Sequence, residues 1–322
     1  MPRQTVALRD ATHPLTPEEA AAVLALAADA AAADGSEPLS EQFRLSVRAS
    51  EHGDVVHLLA RGADGRLLGY AQARTDDGPP SAELVVAPVA RRAGVGTALL
   101  QRLPDGTRLW SHGSGEAAEA ASAFATAGRL VPVRALHVMG RSLRSGPAWP
   151  SVALAPGYAV RSFQPGRDEE AWLRLNADAF ASHPEQGSWT RADLDLRMAE
   201  PWWDPEGLIL VVEDDRPDAL AASHWTKVDP PEGDVGEVYV VAVSPDRQGQ
   251  GLGRAVTVLG LDHLRSRGLD RVLLYVDEEN VAAVRTYSAL GFEDVEVHRQ
   301  FARPGVDERA GDATGSFRQP PG

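Results

Sequence analysis

The strongest constraint on the fold is an internal repeat. Glu83-Leu-Val-Val-Ala-Pro-Val-Ala-Arg-Arg-Ala-Gly-Val-Gly-Thr-Ala-Leu-Leu100 resembles Val240-Val-Ala-Val-Ser-Pro-Asp-Arg-Gln-Gly-Gln-Gly-Leu-Gly-Arg-Ala-Val-Thr257, so that Gly94 and Gly96 align with Gly251 and Gly253, 157 residues further on. One domain length separates the copies, and 322 residues hold two domains of about 150, each able to bury its own core. Arg144 to Gly157, rich in Pro, Gly and small residues without amphipathic periodicity, reads as the linker. The expected division is an N-terminal domain at 1–143, a linker at 144–157, a second domain at 158–303 and a polar, Gly-rich disordered tail at 304–322.

The same order of elements is legible in both copies. Thr16 to Ala33 is an Ala/Leu helix with a Thr-Pro-Glu-Glu start, and Val55 to Leu59 and Leu67 to Ala73 are strands around Ala63-Asp64-Gly65. In the second copy, Asp168 to Phe180 is the matching helix and Leu208 to Glu213, Ala219 to Trp225 and Glu237 to Val243 are strands. A helix at Gly253 to Arg267, a strand at Arg271 to Val276, a helix at Val281 to Leu290 and a strand near Glu293 to Phe301 follow. This alternation predicts an α/β (α+β) fold, each copy a mixed central sheet flanked by helices.

Charge and composition remove several function classes. A net charge of −14 opposes nucleic acid and anionic membrane surfaces, which are bound through clustered Lys and Arg. The absence of cysteine excludes disulfides, a thiolate nucleophile and Cys-ligated zinc, and with no clustered His no metal is expected. Nothing near the N-terminus resembles a signal peptide and no stretch approaches about 20 apolar residues, so a cytoplasmic monomer is expected.

The second glycine loop has an anion-binding form. A β-branched strand, Val238 to Val243, runs through Ser244-Pro245-Asp246 into Arg247-Gln-Gly-Gln-Gly-Leu-Gly-Arg254 and directly into a helix. Glycines let successive N–H groups converge on an anion, and the helix N-terminus adds its dipole, a geometry suited to a diphosphate. A dinucleotide fingerprint and a P-loop are both excluded, because neither G-x-G-x-x-G in register nor Gly-Lys-Ser/Thr is present. A Gly-rich turn alone also serves ordinary turns, so the surrounding motifs matter.

Gln248-x-x-Gly251-x-Gly253 resembles the Q/R-x-x-G-x-G/A signature of the GNAT acetyltransferases, and Arg91-x-x-Gly94-x-Gly96 is a second match. Asn280-Val-Ala-Ala-Val-Arg-Thr-Tyr287-Ser-Ala-Leu-Gly291-Phe292 resembles the family's N-x-x-A-x-x-x-Y-x-x-x-G-F helix. Singly, Asn280 reads as an N-cap, Tyr287 as core and Gly291 as a C-cap; together, in this order, they favour the family. The resemblance implies acetyl-CoA as cosubstrate. Its donor contacts would be Val241, Ala242 and Val243 on the strand, Gln248, Gly249, Gln250, Gly251, Leu252, Gly253 and Arg254 in the loop, and Asn280, Val281, Ala282, Ala283, Val284 and Arg285 at the helix start.

Transfer of acetyl to an amine needs a neutral nucleophile, a stabilised oxyanion and a proton for the departing thiolate. The resemblance assigns the oxyanion to an N–H among Val241 to Val243, the proton donor to Tyr287 and the base to Glu237. Anchored on Gly128, the first copy places Phe124 at Tyr287, Ala117 at Asn280, Arg129 at Phe292 and Pro80 at Glu237. It therefore lacks phenol and carboxylate and is expected to be inactive. Two readings stay open for it: a second acetyl-CoA site on Leu84, Val85, Val86, Arg92, Ala93, Gly94, Val95, Gly96 and Thr97, or a remnant that binds nothing.

His183-Pro-Glu-Gln-Gly-Ser-Trp-Thr190 after Asn176-Ala-Asp-Ala-Phe180, and Gly236-Glu-Val-Tyr-Val-Val-Ala-Val243, resemble the mycothiol synthase branch of the family. That branch acetylates the cysteinyl amine of cysteinyl-glucosaminyl-inositol. The resemblance implies acceptor contacts at Glu41, Glu185, Lys227, Glu237 and Tyr275, carboxylates suiting a polyol that carries an ammonium group. Outside it, Glu41 and Lys227 read as solvated charges and His183 and Trp189 as packing. Alternatives are another amine (an aminoglycoside, a polyamine or a protein amine) or an acyl-CoA-binding regulator without catalysis.

Overall fold

The computed structural model describes residues 7–11, 14–48, 55–75, 79–146, 148–149, 151, 154–181, 184–230 and 233–305. The chain forms two compact units, one made of residues 1–135 and 297–322, the other of residues 136–296.

In the first unit the strands are β1 (Ala7–Ala11), β2 (Val55–Arg61), β3 (Leu67–Arg74), β4 (Ser81–Val86) and β5 (Arg108–Ser111). The helices are α1 (Pro17–Asp34), α2 (Glu41–Arg48), α3 (Val95–Leu100) and α4 (Gly115–Ala127). Thr16 caps α1 reciprocally with Glu19, the predicted start, and Gly35 ends it in the left-handed conformation. The sheet order is β1-β2-β3-β4-β5 with the chain's last strand, β12 (Glu293–Ala302), beside β5. Its core is Leu and Val from α1, β2 and β3 around the buried Tyr70.

The second unit begins within β6 (Val131–Ser142) and continues with β7 (Tyr158–Ser162), α5 (Glu169–Ala179), α6 (Pro184–Gly187), α7 (Arg191–Met198), β8 (Leu208–Glu213) and β9 (Arg216–Lys227). β10 (Val235–Val243), α8 (Leu252–Ser266), β11 (Arg271–Asp277) and α9 (Val281–Ala289) complete it, with sheet order β6-β11-β10-β9-β8-β7. Aliphatic residues of β10, β11 and α8 form one core, and a tryptophan-rich cluster on α5, β8 and β9 forms another.

The strand registers depart from the expected domain limits. Leu136 to Ser142, at the end of the first copy, pair antiparallel with Asp277 to Arg271 of the second unit. Leu109 to Ser111 of the first unit pair with Phe301 to Arg299, at the end of the second copy. Each unit is therefore closed by the strand that follows the other copy's last helix. Among the described residues no helix is long and apolar enough to cross a membrane. Residues 306–322, most of the expected tail, lie outside the described residues.

Candidate functional site: a wedge between two parallel strands

β10 and β11 pair in parallel only over Val235 to Val238 with Arg271 to Leu274, although β10 runs on to Val243 and β11 to Asp277. Past Val238 the strands part, while β10 stays paired with β9 as far as Val243. The edge of β10 that faces the gap thus has backbone groups released from the ladder over Val241 to Val243, the stretch expected to face an acetyl carbonyl. At the parting point the β9–β10 register shifts between Val238 and Val240, a β-bulge at Tyr239.

The loop after β10 is shaped as its glycines require. A 3-10 turn at Pro245–Arg247 leads to Gln248 (φ −64°, ψ 157°), then Gly249 at φ 76° and Gly251 at φ 81°, both left-handed. Gly251 is the N-cap of α8 and makes no side-chain cap, whereas Thr16, Thr190 and Asn280 cap α1, α7 and α9. The first N–H groups of this 15-residue helix therefore receive no bond from the N-cap side chain, and the helix dipole lies behind them. Arg247 anchors the loop through Nε and Nη2 to Glu213 Oε1 at 2.9 and 2.6 Å, and Tyr158 Oη donates to Gln250 Oε1 at 3.1 Å. Arg247, then Arg216, holds the Glu213 carboxyl below its ordinary range.

α9 supplies the expected phenol. Asn280 Oδ1 accepts from Ala283 N–H at 3.1 Å, so its capping role is realised. Tyr287 packs edge-on to Phe292 at 5.8 Å and, like Val241 of β10, lies against the core formed by β10, β11 and α8. Burial pushes its phenol up to about 12.

Glu237 stands directly opposite Lys227 in the β9–β10 register. Lys227 is only 6% exposed, with Asp229 at 3.5 Å and its Nζ 4.9 and 5.3 Å from the Trp202 and Tyr239 rings. Strand alternation puts Tyr275, 45% exposed, on the Glu237 side through its neighbour Leu273. Glu41 opens α2 of the first unit, where the preceding Ser40 N–H donates to Glu83 Oε2 at 2.7 Å. Glu185 lies in α6 with its side chain outside the described set, as is His183. Among the described residues no group of His, Asp and Glu is arranged to hold a metal ion.

Three features escape the sequence: the bulge, Arg197 from α7, and the tryptophans around Trp225. Arg197 is 2% exposed, donates from Nε to Tyr239 Oη at 2.8 Å and lies 3.7 Å over the Trp189 ring. The signal available was the quoted Gly236 to Val243 run, whose Tyr interrupts a series of small and β-branched residues.

The first unit repeats the loop but not the chemistry. β4 and β5 pair in parallel only at Ser81 with Arg108 and Ala82 with Leu109, so they too diverge. Pro88–Ala90 form the matching 3-10 turn, Arg91 has φ −65° and ψ 155°, and Gly94 caps α3 at φ 92°. Arg92 takes the left-handed role of Gly249, at φ 61°. Two of the glycine-anchored equivalences shift by one residue. β3 and β4 pair without a bulge, so matching the last parallel pairs puts Ser81, not Pro80, at Glu237. At the end of α4 the left-handed residue is Arg129 (φ 58°), not Gly128, and Leu130 N–H bonds Ala125 as Phe292 N–H bonds Tyr287. Ala125 therefore stands at Tyr287, with the Phe124 ring over Gly96. Neither Ser81 nor Ala125 supplies a carboxylate or phenol.

Residues 21–105 and 170–292 match the Acetyltransferase (GNAT) family, one stretch in each copy. A mycothiol acetyltransferase of Thermobispora bispora is 50% identical over 285 residues, covering 86% of this chain and 93% of that protein. One of Geodermatophilus obscurus is 50% identical over 289 residues, covering 86% and 92%. Among solved structures, a tandem GNAT protein from the clavulanic acid biosynthesis pathway aligns with TM-score 0.67 at 22% identity, over 92% of this chain and 98% of that one. A GCN5-related N-acetyltransferase from Sphaerobacter thermophilus aligns with TM-score 0.60 at 24% identity, over 91% and 94%. Each of the two matched stretches contains one glycine loop and the strand before it, and with half of its aligned residues identical to those of the two mycothiol acetyltransferases the chain belongs to the mycothiol acetyltransferase family of GNAT proteins.

Proposed function

We propose that the second unit transfers acetyl from acetyl-CoA to the cysteinyl amine of cysteinyl-glucosaminyl-inositol. The observation that carries this is the parting of β10 from β11 at Val238, beside Glu237 on the same strand and Lys227 on the neighbouring β9, with β10 leading through the glycine loop into a helix whose N-cap makes no side-chain bond. In this reading Gln248 to Arg254 and the start of α8 take the pyrophosphate, and the arm leading to the thioester lies in the gap beside α9. Acetyl-CoA supplies the acyl group; the chain supplies position, charge and proton management.

Glu237 takes the proton of the acceptor ammonium, directly or through water. An α-amino group has a pKa of about 7.7–8.0, so little assistance is needed at neutral pH. The amine nitrogen attacks the acetyl carbonyl, whose developing oxyanion receives a backbone N–H from the Val241 to Val243 edge. The oxyanion then collapses, the C–S bond breaks, and the remaining proton of the attacking nitrogen passes to the departing sulfur, which leaves as the thiol of CoA. A phenol raised to about 12 stays protonated throughout the working range, and Tyr287 meets the departing sulfur as a hydrogen-bond donor. Transfer of its proton to a thiolate with conjugate acid near 8.5 is uphill, so stabilisation by the hydrogen bond is its main contribution.

The first unit is read as a coenzyme-holding domain, at Leu84 to Val86 and Arg92 to Thr97, without transfer. A left-handed non-glycine residue costs about 1–2 kcal/mol, so at Arg92 the loop holds the shape of the second unit's cradle against the backbone preference of its own residue, which supports this reading. The test is CoA release with acetyl-CoA and cysteinyl-glucosaminyl-inositol beside a panel of simple amines. Preference for the pseudodisaccharide, with kcat reduced about 10²-fold in Tyr287→Phe, is the expected result. Turnover confined to another amine overturns the acceptor and leaves the acetyltransferase.

A further inference from the structure

We propose that Asn176 is a positioning residue for acceptor recognition: its buried amide fastens α6, which carries Glu185, to α5. The inference rests on the acceptor assignment above, with Glu185 as one of the acceptor contacts, and adds to it the group that holds that contact in place.

A helix as short as α6 cannot hold its own place. Its four residues, Pro184–Gly187, make a single turn, which has no stability without tertiary bonds. Asn176 supplies them from α5, where with Trp172 and Leu175 it is among the buried residues. Its Nδ2 donates to the Gln186 carbonyl at 2.7 Å and its Oδ1 accepts from Gln186 Nε2 at 3.3 Å, so both ends of the amide go to one residue of α6. Burying an amide is costly unless it is bonded, and here its bonds are spent on fastening the neighbouring turn. Gly187 adds a second fastening. A Cβ there would lie 2.5 Å from the Phe180 carbonyl oxygen, so the last residue of α6 sits backbone to backbone on the C-cap of α5. Gln186 and Gly187 are the two residues directly after Glu185.

The stretch so fastened covers the sheet face that carries the proposed base. Trp189 packs at 6.0 Å from Trp172, 6.5 Å from Trp225 and 6.2 Å from Tyr239, on the tryptophan side of the sheet. A Cβ at Gly236 would meet Leu264 of α8 at 2.8 Å, and Val238 shares a core with Leu261 and Leu264. Glu237, between them, therefore takes the opposite face by alternation, the face of Tyr239 and Trp225. Lys227 is on that face too, with its Nζ beside the Trp202 and Tyr239 rings. Thr190 then opens α7 through its reciprocal cap with Asp193. Residues 186, 187, 189 and 190 are thus all tied, and Glu185 stands on the backbone at the edge of this fixed stretch. A carboxylate selects a hydroxyl-bearing acceptor only from a fixed position, which the bonds of Asn176 provide.

The test measures kcat and KM for cysteinyl-glucosaminyl-inositol in the wild type, Asn176→Leu, Gly187→Ala and Glu185→Ala, and in Glu185→Ala combined with each of the other two. Each single variant is expected to raise the KM for the pseudodisaccharide about tenfold, the loss of one hydrogen bond to a carboxylate. In Asn176→Leu and Gly187→Ala, kcat and the KM for acetyl-CoA should stay within about twofold of wild type. Each double variant should be no worse than Glu185→Ala, because the fastening acts through that residue. A fall in kcat with KM unchanged, losses that multiply in the double variants, or a Glu185→Ala without effect overturn the inference and leave the acceptor reading, which turnover of the pseudodisaccharide supports. Should Asn176→Leu misfold, Gly187→Ala, which keeps the amide, decides together with its double variant. A wild type that acetylates cysteinamide, an amine without the sugar, and not the pseudodisaccharide overturns the acceptor reading and the inference with it.

Discussion

Gly260 offers a sharp test of how the second unit is packed, because two rules disagree about it. It lies inside α8, where exchange of Gly for Ala stabilises by about 1 kcal/mol on helix propensity alone. A Cβ there would lie 2.0 Å from His224 Nδ1 and 2.1 Å from its Cε1. His224 is fully buried on β9 and its Nδ1 is 3.0 Å from the Val256 carbonyl, so the ring has little room to retreat. Restoring an ordinary contact needs a shift of more than 1 Å, which forfeits that hydrogen bond at about 1–3 kcal/mol and overpacks the β9–α8 contact at about 1–3 kcal/mol. Against the propensity gain, Gly260→Ala is expected to destabilise by about 1–5 kcal/mol. Urea unfolding followed by tryptophan emission reads this unit, since six of the seven tryptophans (Trp149, Trp172, Trp189, Trp202, Trp203 and Trp225) belong to it. An unchanged or higher midpoint would refute the reasoning, as would a double-mutant cycle with His224→Ala that shows no coupling.

Three further outcomes follow from the same geometry. Burial lowers His224 to about 4 from an ordinary 6.5, so the fold holds it neutral; its contribution is fully present above pH 6.5 and is lost as pH falls towards 4, by up to about 3.4 kcal/mol at 1.36 kcal/mol per unit. Urea midpoints between pH 7.5 and 4.5 should show a slope that His224→Gln removes. Arg92→Gly relieves a left-handed arginine and should stabilise by about 1 kcal/mol in calorimetry, where a loss would show that contacts of the arginine side chain outweigh its backbone conformation. Glu213→Gln frees Arg247 and should raise the KM for acetyl-CoA several-fold with kcat kept; a fall in kcat alone would place Glu213 elsewhere in the mechanism.

Much of the candidate site was legible because its conformational demands are local. Gln248 to Gly253 needs left-handed residues at 249 and 251, and glycine at both makes the loop readable. Asn280 announces a cap, and Thr16 with Glu19 announces another. The internal repeat located both loops, and with them the two-domain α/β plan. The one-residue error at Pro80 arose because a bulge lies between it and the loop glycines used as the anchor, and the error at Gly128 because the left-handed residue that matches Gly291 is its neighbour Arg129. A bulge leaves no residue-type signature, and Arg129 carries a conformation usually signalled by glycine.

The sequence alone determined what short-range backbone chemistry dictates: the helix starts, the two glycine loops before helices, the period-two strands and the absence of a phenol and a carboxylate at the matching places of the first copy. Only the tertiary structure decided which strands become neighbours. Residues 299–301 read as the end of the second copy's last strand and residues 136–142 carried no strand reading, yet 136–142 pair within the second unit and 299–301 within the first. Alternation says which face a side chain takes and nothing of which strand will lie beside it, because pairing is settled by contacts far apart in the chain. The same holds for Arg197 and Tyr239, 42 residues apart, whose meeting depends on a register shift and on the helix that crosses it.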